Sequence, residues 1–252
     1  MDAPAPWTLR GHAYVCALAM PDALRRPQGG TAEALGPATG RLGVVMFVDY
    51  QRSEVGPYRE LLFMPGPCRF PDGHRRWSIG RIYVSSEDSA RNGNRNWGLD
   101  KRVASFRVER TRYGESVTVR YQDRDIAGLT LKRRGPALPV LGPWLPERWR
   151  RLGQVRDNQQ FVFAPSVRGR LGVASLSDAW ATGRIFRSCS TAADAALCTY
   201  RTSTSTSPKR ISAPCPEPYG DRKHHPAVAS RQPPRPRPLL AWVTAIRRDP
   251  WL

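Results

Sequence analysis

Apolar and polar residues alternate over much of the first 183 residues, with the period of two that half-buried β-strands show. The clearest segment is 116–121, in which Val117, Val119 and Tyr121 alternate with polar side chains. The pattern predicts nine strands, at residues 14–18, 43–50, 58–64, 78–84, 103–109, 116–122, 126–132, 160–164 and 170–176. Turn-forming residues separate neighbouring strands at short intervals, which favours an antiparallel meander or barrel.

A helix is predicted to start at Ser85 or Ser86, because Glu87 and Asp88 would then lie in its first turn. Negative side chains there interact favourably with the positive end of the helix dipole. The helix is expected to run towards residues 92–94. The predicted fold class is therefore mainly β, with α+β character at its margins.

The composition changes near Gly183, because ten of the 24 prolines lie in the last 69 residues, beside the Ser-Thr repeat at 203–207. Proline resists both sheet ladders and helix interiors. We therefore predict a domain at 1–183 and an irregular Ser/Pro/Arg-rich tail at 184–252. The tail is interpreted either as disordered or as translated out of frame, which would leave the domain incomplete.

The formal charge of +19 changes the functional picture less than its size suggests. A strongly basic domain is typical of nucleic-acid binding, and a basic nucleic-acid-binding protein is one alternative. However, 36 of the 40 basic residues are arginines, beside 24 prolines and 21 glycines, which indicates a bias in the coding sequence. The charge is therefore discounted as a sign of function, and no nucleic-acid partner is expected.

The five cysteines are scattered without a CxxC pair, so buried or incidental thiols are expected rather than a disulfide framework or a metal site. No apolar run approaches the ~20 residues that cross a bilayer, and no N-terminal segment has the pattern of a signal peptide. We therefore expect a cytoplasmic protein with no membrane partner, metal or cofactor.

Three segments carry a resemblance to a known family: 45–50 followed by 55–62, then 82–86 leading into Asn92-Gly93, then 96–104. Together with 7–14, their order and spacing over about 100 residues resemble the acetoacetate decarboxylase superfamily. The resemblance implies an antiparallel β-barrel or cone, assembly into homo-oligomers, and a lysine that forms a Schiff base with a small keto acid.

The resemblance also implies the site residues. Lys101 matches the nucleophilic lysine, Arg102 the cation beside it, and Glu60 the pocket glutamate. An amine must be neutral to attack a carbonyl, and a lysine with an ordinary pKa of about 10.4 is about 0.04 % neutral at pH 7. Acetoacetate decarboxylases are known to overcome this by desolvation or a neighbouring cation. Here Trp97, Leu99 and Val103 are candidates for an apolar wall.

The composition itself favours Lys101, because four of the 40 basic side chains are lysines. An arginine stays protonated and could not replace this nucleophile. The resemblance thus predicts Schiff-base formation at Lys101, with Glu60 assisting, followed by decarboxylation or aldol-type chemistry. For Glu60 the alternative is a surface ion pair with an arginine.

Candidate substrate-binding residues are Tyr58, which could instead be a packed barrel residue, and Trp97. His12, with Arg10 two residues away, stands nearest to the family's carboxylate-binding arginine. The chain departs from the family pattern at Asp100, where a proline precedes the lysine in the family. A catalytically degenerate relative that binds a small carboxylate is therefore a further alternative.

Overall fold

A computed structural model describes residues 1–25, 35–141, 150–182, 197–207 and 211–214. These residues form one α-helix and fifteen strands. The elements in chain order are β1 (Trp7–Ala19), β2 (Leu42–Arg52), β3 (Tyr58–Met64), β4 (Pro67–Arg69), β5 (Arg75–Trp77), β6 (Arg81–Val84), α1 (Glu87–Trp97), β7 (Lys101–Val103), β8 (Ser105–Thr111), β9 (Gly114–Tyr121), β10 (Arg124–Leu141), β11 (Leu152–Arg156), β12 (Gln159–Phe163), β13 (Ser166–Ala181), β14 (Leu197–Ser207) and β15 (Ile211–Pro214). The prediction of a mainly β fold is confirmed.

The strands form two sheets. The larger has the order β7-β6-β3-β2-β1-β14-β13-β10-β9-β8, and the smaller has the order β15-β12-β11-β5-β4. Pairing is antiparallel except between β6 and β7 and between β5 and β11. In the described residues β7 and β8 are the two edges of the larger sheet, so its ladder does not close into the predicted barrel.

Two strands come from the predicted tail. β14 lies between β1 and β13 in the larger sheet, and β15 pairs with β12 in the smaller one. The larger sheet therefore continues past Gly183, where the domain was predicted to end. Threonine is β-branched and favours strands. Residues 203–207 contain only serine and threonine, however, so they show no alternation of apolar and polar side chains that would predict a strand. The rest of the predicted tail lies outside the described residues.

Both faces of the larger sheet are buried over β1, β2 and β3. One face carries a core that includes Tyr14, Phe47 and Leu61, and the other carries a core that includes Leu62 and Trp97. Successive side chains of a strand point to opposite faces, so β3 supplies Leu61 to the first core and Leu62 to the second. α1 packs in the second core, and this is the side on which the candidate site lies.

The ends of α1 have clear local causes. Ser86 is the N-cap, and its hydroxyl accepts a hydrogen bond from the Ser89 N–H at 3.3 Å. Gly98 follows the helix in the left-handed conformation, with φ of 63°. The helix begins as predicted but continues past residues 92–94, because Gly98 rather than the asparagines ends it.

The cysteines differ from the expectation of incidental thiols. Cys16 is disulfide-bonded, and Cys198 stands directly opposite it in the register of β1 and β14. Cys68 is a free, buried thiol. The expectation is therefore wrong for Cys16, because β14 brings a residue 182 positions away onto the neighbouring strand, which spacing along the chain does not reveal. Separately, none of the helices in the described part of the chain is long and apolar enough to cross a membrane.

Candidate active site

Lys101 begins the short strand β7 and is buried. The side-chain amide of Asn94 holds its backbone from α1: the Lys101 N–H donates to Asn94 Oδ1 at 2.7 Å, and Asn94 Nδ2 donates to the Lys101 carbonyl at 3.2 Å. On its other side, Lys101 is aligned with Ile82 of the parallel strand β6. Helix and sheet together thus fix the point from which the lysine side chain extends.

The Lys101 amine meets Glu60 in the protein interior. Nζ donates to Glu60 Oε2 at 2.8 Å and to Ser89 Oγ at 3.2 Å. The lysine and glutamate side chains are 4 % and 6 % exposed. Glu60 is not the partner of a surface arginine, which was the alternative interpretation. A lysine and a carboxylate at this distance form a charge-assisted hydrogen bond along which one proton can move.

Aromatic side chains surround the amine. The ring centroids of Tyr58 and Trp7 lie 5.2 Å and 6.0 Å from Nζ. Trp97 packs edge-on against Trp7, at a centroid distance of 4.9 Å. Burial raises the pKa of Tyr58 well above its usual value; the charge of Glu60 raises it further, against an opposing contact with Ser89. Tyr58 therefore remains a neutral phenol that can donate a hydrogen bond.

No protein-family model and no curated protein matches the sequence. Solved structures match the fold. Acetoacetate decarboxylase from Legionella pneumophila is 12 % identical, with a TM-score of 0.63 over 83 % of this chain and 88 % of its own. The chain has the acetoacetate decarboxylase-like fold.

Two further structures with this fold widen the comparison. An acetoacetate decarboxylase-like enzyme from Sphingomonas wittichii is 12 % identical, with a TM-score of 0.59 over 84 % of this chain and 94 % of its own. MppR, an enduracididine biosynthesis enzyme solved with the condensation product of pyruvate and imidazole 4-carboxaldehyde, is 12 % identical. Its TM-score is 0.57 over 83 % of this chain and 90 % of its own. These similarities establish the fold alone.

Within the acetoacetate decarboxylase-like fold, Arg102 points away from the amine. It neighbours Lys101 on β7 and so faces the opposite side of the sheet. Its guanidinium contacts Asp100, with Nη2 3.1 Å from Oδ2. Asp100, at the position where the resemblance implies a proline, is therefore paired with Arg102. Val103, a candidate for the apolar wall, is 43 % exposed, whereas Leu99 is buried in the same core as Trp97.

His12 and Arg10 do not approach Lys101. In the strand register, His12 of β1 lies beside Asp49 of β2, and Asp49 lies beside Arg59 of β3, so these three side chains share one face of the sheet. Glu60 is the next residue along β3. Because neighbouring residues on a strand face opposite ways, His12 and Glu60 lie on opposite faces of the sheet. Arg10 is exposed.

His12 instead takes part in a second charged cluster, on the other face of the larger sheet. Its Nε2 lies 2.8 Å from Glu115 Oε1. Arg110 contacts both Glu115 and Asp49, and Arg133 lies 3.7 Å from Glu115 Oε1. This cluster joins β1, β2, β8, β9 and β10 and is separate from the candidate site.

Besides Trp7 of β1, sequence reasoning missed three residues of the site, namely Ser89, Gly93 and Asn94. All three belong to α1, and only the packing of the helix against β7 gives them a role. The sequence did contain one signal. Residues 89 and 93 are four apart and therefore share a helix face, and both are small, which suits close approach by another chain segment.

Proposed function

We propose that this chain is an enzyme that forms a Schiff base between Lys101 and a small keto acid. The observation that carries the proposal is the buried contact of 2.8 Å between Lys101 Nζ and Glu60 Oε2, at the position that matches the lysine of the family. Two further features support it: the acetoacetate decarboxylase-like fold and the aromatic surroundings of the amine.

Glu60 supplies the first proton transfer. Its carboxylate accepts a proton from the Lys101 ammonium, which leaves a neutral amine whose nitrogen attacks the carbonyl carbon of the keto acid. The resulting carbinolamine loses its hydroxyl as water when the proton on Glu60 returns to that oxygen. The product is a protonated imine, which can accept an electron pair from a neighbouring bond of the substrate.

Two outcomes follow from that imine. In decarboxylation, the bond to the carboxylate breaks, carbon dioxide leaves, and its electron pair forms an enamine. In aldol-type chemistry, the Glu60 carboxylate takes a proton from the carbon beside the imine, which forms an enamine. The enamine carbon attacks an aldehyde, and the proton on Glu60 passes to the oxygen of the new alkoxide. The printed descriptions of the related structures include both an acetoacetate decarboxylase and a pyruvate–aldehyde condensation product. We assign the imine step and leave both outcomes within the proposal.

The other groups around the amine have simpler roles. Tyr58 offers a neutral phenol that can donate a hydrogen bond to a substrate oxygen. Trp7 and Trp97 exclude water from the amine, which strengthens the electrostatic interactions of the bound substrate. The proposed substrate is small, because Lys101, Glu60 and Tyr58 are each less than one-tenth exposed.

A binding protein without turnover is the second candidate. The observation that favours it is the same ion pair, because an ammonium held by a carboxylate is not a nucleophile until its proton leaves. Among the residues that the structure describes, Glu60 is the charged side chain in contact with Lys101 Nζ. A carboxylate ligand could then bind by a hydrogen bond from the ammonium without forming a covalent bond.

Reductive trapping separates the two candidates. The protein is incubated with pyruvate or acetoacetate, reduced with borohydride, digested and analysed by mass spectrometry. The enzyme proposal predicts an adduct on Lys101 that is absent from Lys101→Arg and retained in Lys132→Arg, since Lys132 is exposed. Ligand binding by calorimetry with no adduct for either keto acid would favour the binding protein.

A further inference from the structure

One face of α1 lies against the outer part of the Lys101 side chain, from Cδ to Nζ. Ser89 and Gly93 lie four residues apart, so they are neighbours on that face. Both are buried, and Ser89 is fully enclosed. Each touches a different part of the lysine, which suggests that the helix does more than support the strand.

Gly93 leaves the space that the lysine chain occupies. A Cβ atom at this position would lie 2.7 Å from Lys101 Cε, 2.8 Å from Cδ and 3.3 Å from Nζ. Such distances are too short for carbon atoms in contact, so any other residue would displace the lysine or the helix. Glycine in the middle of a helix destabilises it relative to alanine. Its presence here is explained by the room that Lys101 needs.

Ser89 fixes the far end of the same side chain. Its Oγ accepts a hydrogen bond from Nζ, and its own backbone N–H is bonded to the Ser86 cap. The position of the hydroxyl therefore follows from the start of the helix. Of the three N–H bonds of the ammonium, one points to Glu60 and one to Ser89. The amine is thus oriented as well as buried.

We propose that Ser89 and Gly93 are positioning residues that hold the Lys101 amine against Glu60, an inference that rests on the proposed imine chemistry. Gly93 sets the path of the lysine chain, and Ser89 sets the direction of its nitrogen. The other groups facing the amine are Glu60 and Tyr58 from β3 and the uncharged Trp7 from β1. None of these can replace the contacts made by the helix.

Lysine NMR tests the inference without any substrate. The chain has four lysines, so labelling lysine with ¹³C at Cε gives few signals, and Lys101→Arg identifies the signal of Lys101. A lysine held in one conformation shows two separate Hε protons. We expect this separation in the parent protein and its loss in Ser89→Ala and Gly93→Ala.

The matched controls are Ser105→Ala, at an exposed serine, and Gly36→Ala, at a glycine whose added Cβ would meet nothing within 4 Å. Both should keep the Hε separation of the parent protein. Circular dichroism confirms that each variant is folded. If Gly93→Ala fails to fold, Ser89→Ala decides the question, because it removes an oxygen and adds no bulk.

Pyruvate trapping supplies the second readout. We expect the initial rate of adduct formation at Lys101 to fall by on the order of tenfold to a hundredfold in Ser89→Ala, because small misplacements of a reacting group have effects of this size. Unchanged Hε signals and an unchanged trapping rate in Ser89→Ala would overturn the inference while leaving the imine chemistry intact. If Ser89→Ala loses the Hε separation but the parent protein forms no adduct, the positioning role is supported and the proposed function is overturned.

Discussion

The pairing of Lys101 with Glu60 sets how much each side chain contributes to stability. Two buried charges at 2.8 Å compensate each other, but a single one left without its partner costs several kcal/mol. The resemblance singled out both residues from the sequence, and the structure places them in contact. The sequence did not show that Arg102, His12 and Arg10 lie elsewhere, because the face of a side chain depends on strand register and on which strands are neighbours.

We predict that Glu60→Gln lowers the free energy of unfolding by about 3–5 kcal/mol at pH 7, because it leaves the Lys101 ammonium unpaired in the interior. Urea denaturation measures the change. Glu109→Gln is the control, since Glu109 and its partner Arg107 have side chains 68 % and 77 % exposed, and exposed pairs contribute about 0–1 kcal/mol. Equal losses of unfolding free energy in the two variants would show that Glu60 does not compensate the buried charge of Lys101.

Cys68 gives a second prediction at the residue scale. Burial raises the pKa of its thiol to about 11, so the reactive thiolate is scarce at neutral pH. Iodoacetamide should modify Cys68 in the unfolded chain and leave it unmodified in the folded one, as read by peptide mass spectrometry. Rapid labelling of Cys68 in the native protein at pH 7.5 would contradict its burial.

At the scale of elements, most of the longer strands with alternating residues were predictable, whereas the strands of three residues were not. The prediction of 58–64 coincides with β3, whereas β4, β5 and β7 have three residues each. Three residues cannot show a period of two. β10 and β13 extend well beyond their predicted segments because they pair with each other over most of their length. Such pairing between distant segments is not encoded locally.

The Glu115 cluster predicts how stability depends on pH. Burial acts to raise the pKa of Glu115, but the contacts with His12, Arg110 and Arg133 outweigh it and hold the pKa below its ordinary value of 4.5. A lowered carboxyl pKa stabilises the fold above the unfolded value, and this stabilisation is lost as the pH falls through the folded value. Unfolding free energies should therefore decline below about pH 4.5.

Glu115→Gln is the variant that assigns this decline. Denaturation at several pH values between about 3 and 7 should give a shallower acid slope for Glu115→Gln than for the parent protein. Part of the acid slope should remain in Glu115→Gln, because the pKa of Asp72 is also lowered. Burial acts to raise the pKa of Asp72, but hydrogen bonds from Arg76, Gln160 and the His74 backbone N–H outweigh it. Identical slopes in the two proteins would show that Glu115 is not held in its charged form by the cluster.

At the scale of the whole molecule, the main sheet depends on residues that the sequence placed in a tail. β14 fills the space between β1 and β13, so a chain ending at residue 183 would leave two long strands with unpaired edges. Residues 1–218 form one compact unit. The change in composition at residue 183 does not mark a structural boundary, because the larger sheet continues beyond it through β14.

Truncation tests this organisation. A chain ending at residue 218 should unfold in one cooperative transition, because it keeps every described strand. A chain ending at residue 183 should aggregate or lose that transition, since unpaired edges of long strands promote association. Thermal denaturation followed by circular dichroism compares the two. A stable, soluble chain of 183 residues would contradict the role of β14.

Recovery of peptides covering 197–214 from the native protein would show that these strands are translated in frame. Their absence would support the out-of-frame interpretation of the tail.

Lys101 Nζ is the proposed nucleophile, and one mass measurement tests this assignment. The protein is incubated with pyruvate, reduced with borohydride and digested, and the peptide containing Lys101 is examined for the mass of the reduced adduct. We predict an adduct on Lys101, with the three other lysines unmodified. An unmodified Lys101, or an adduct distributed equally over all the lysines, would contradict the assignment of Lys101 as the nucleophile.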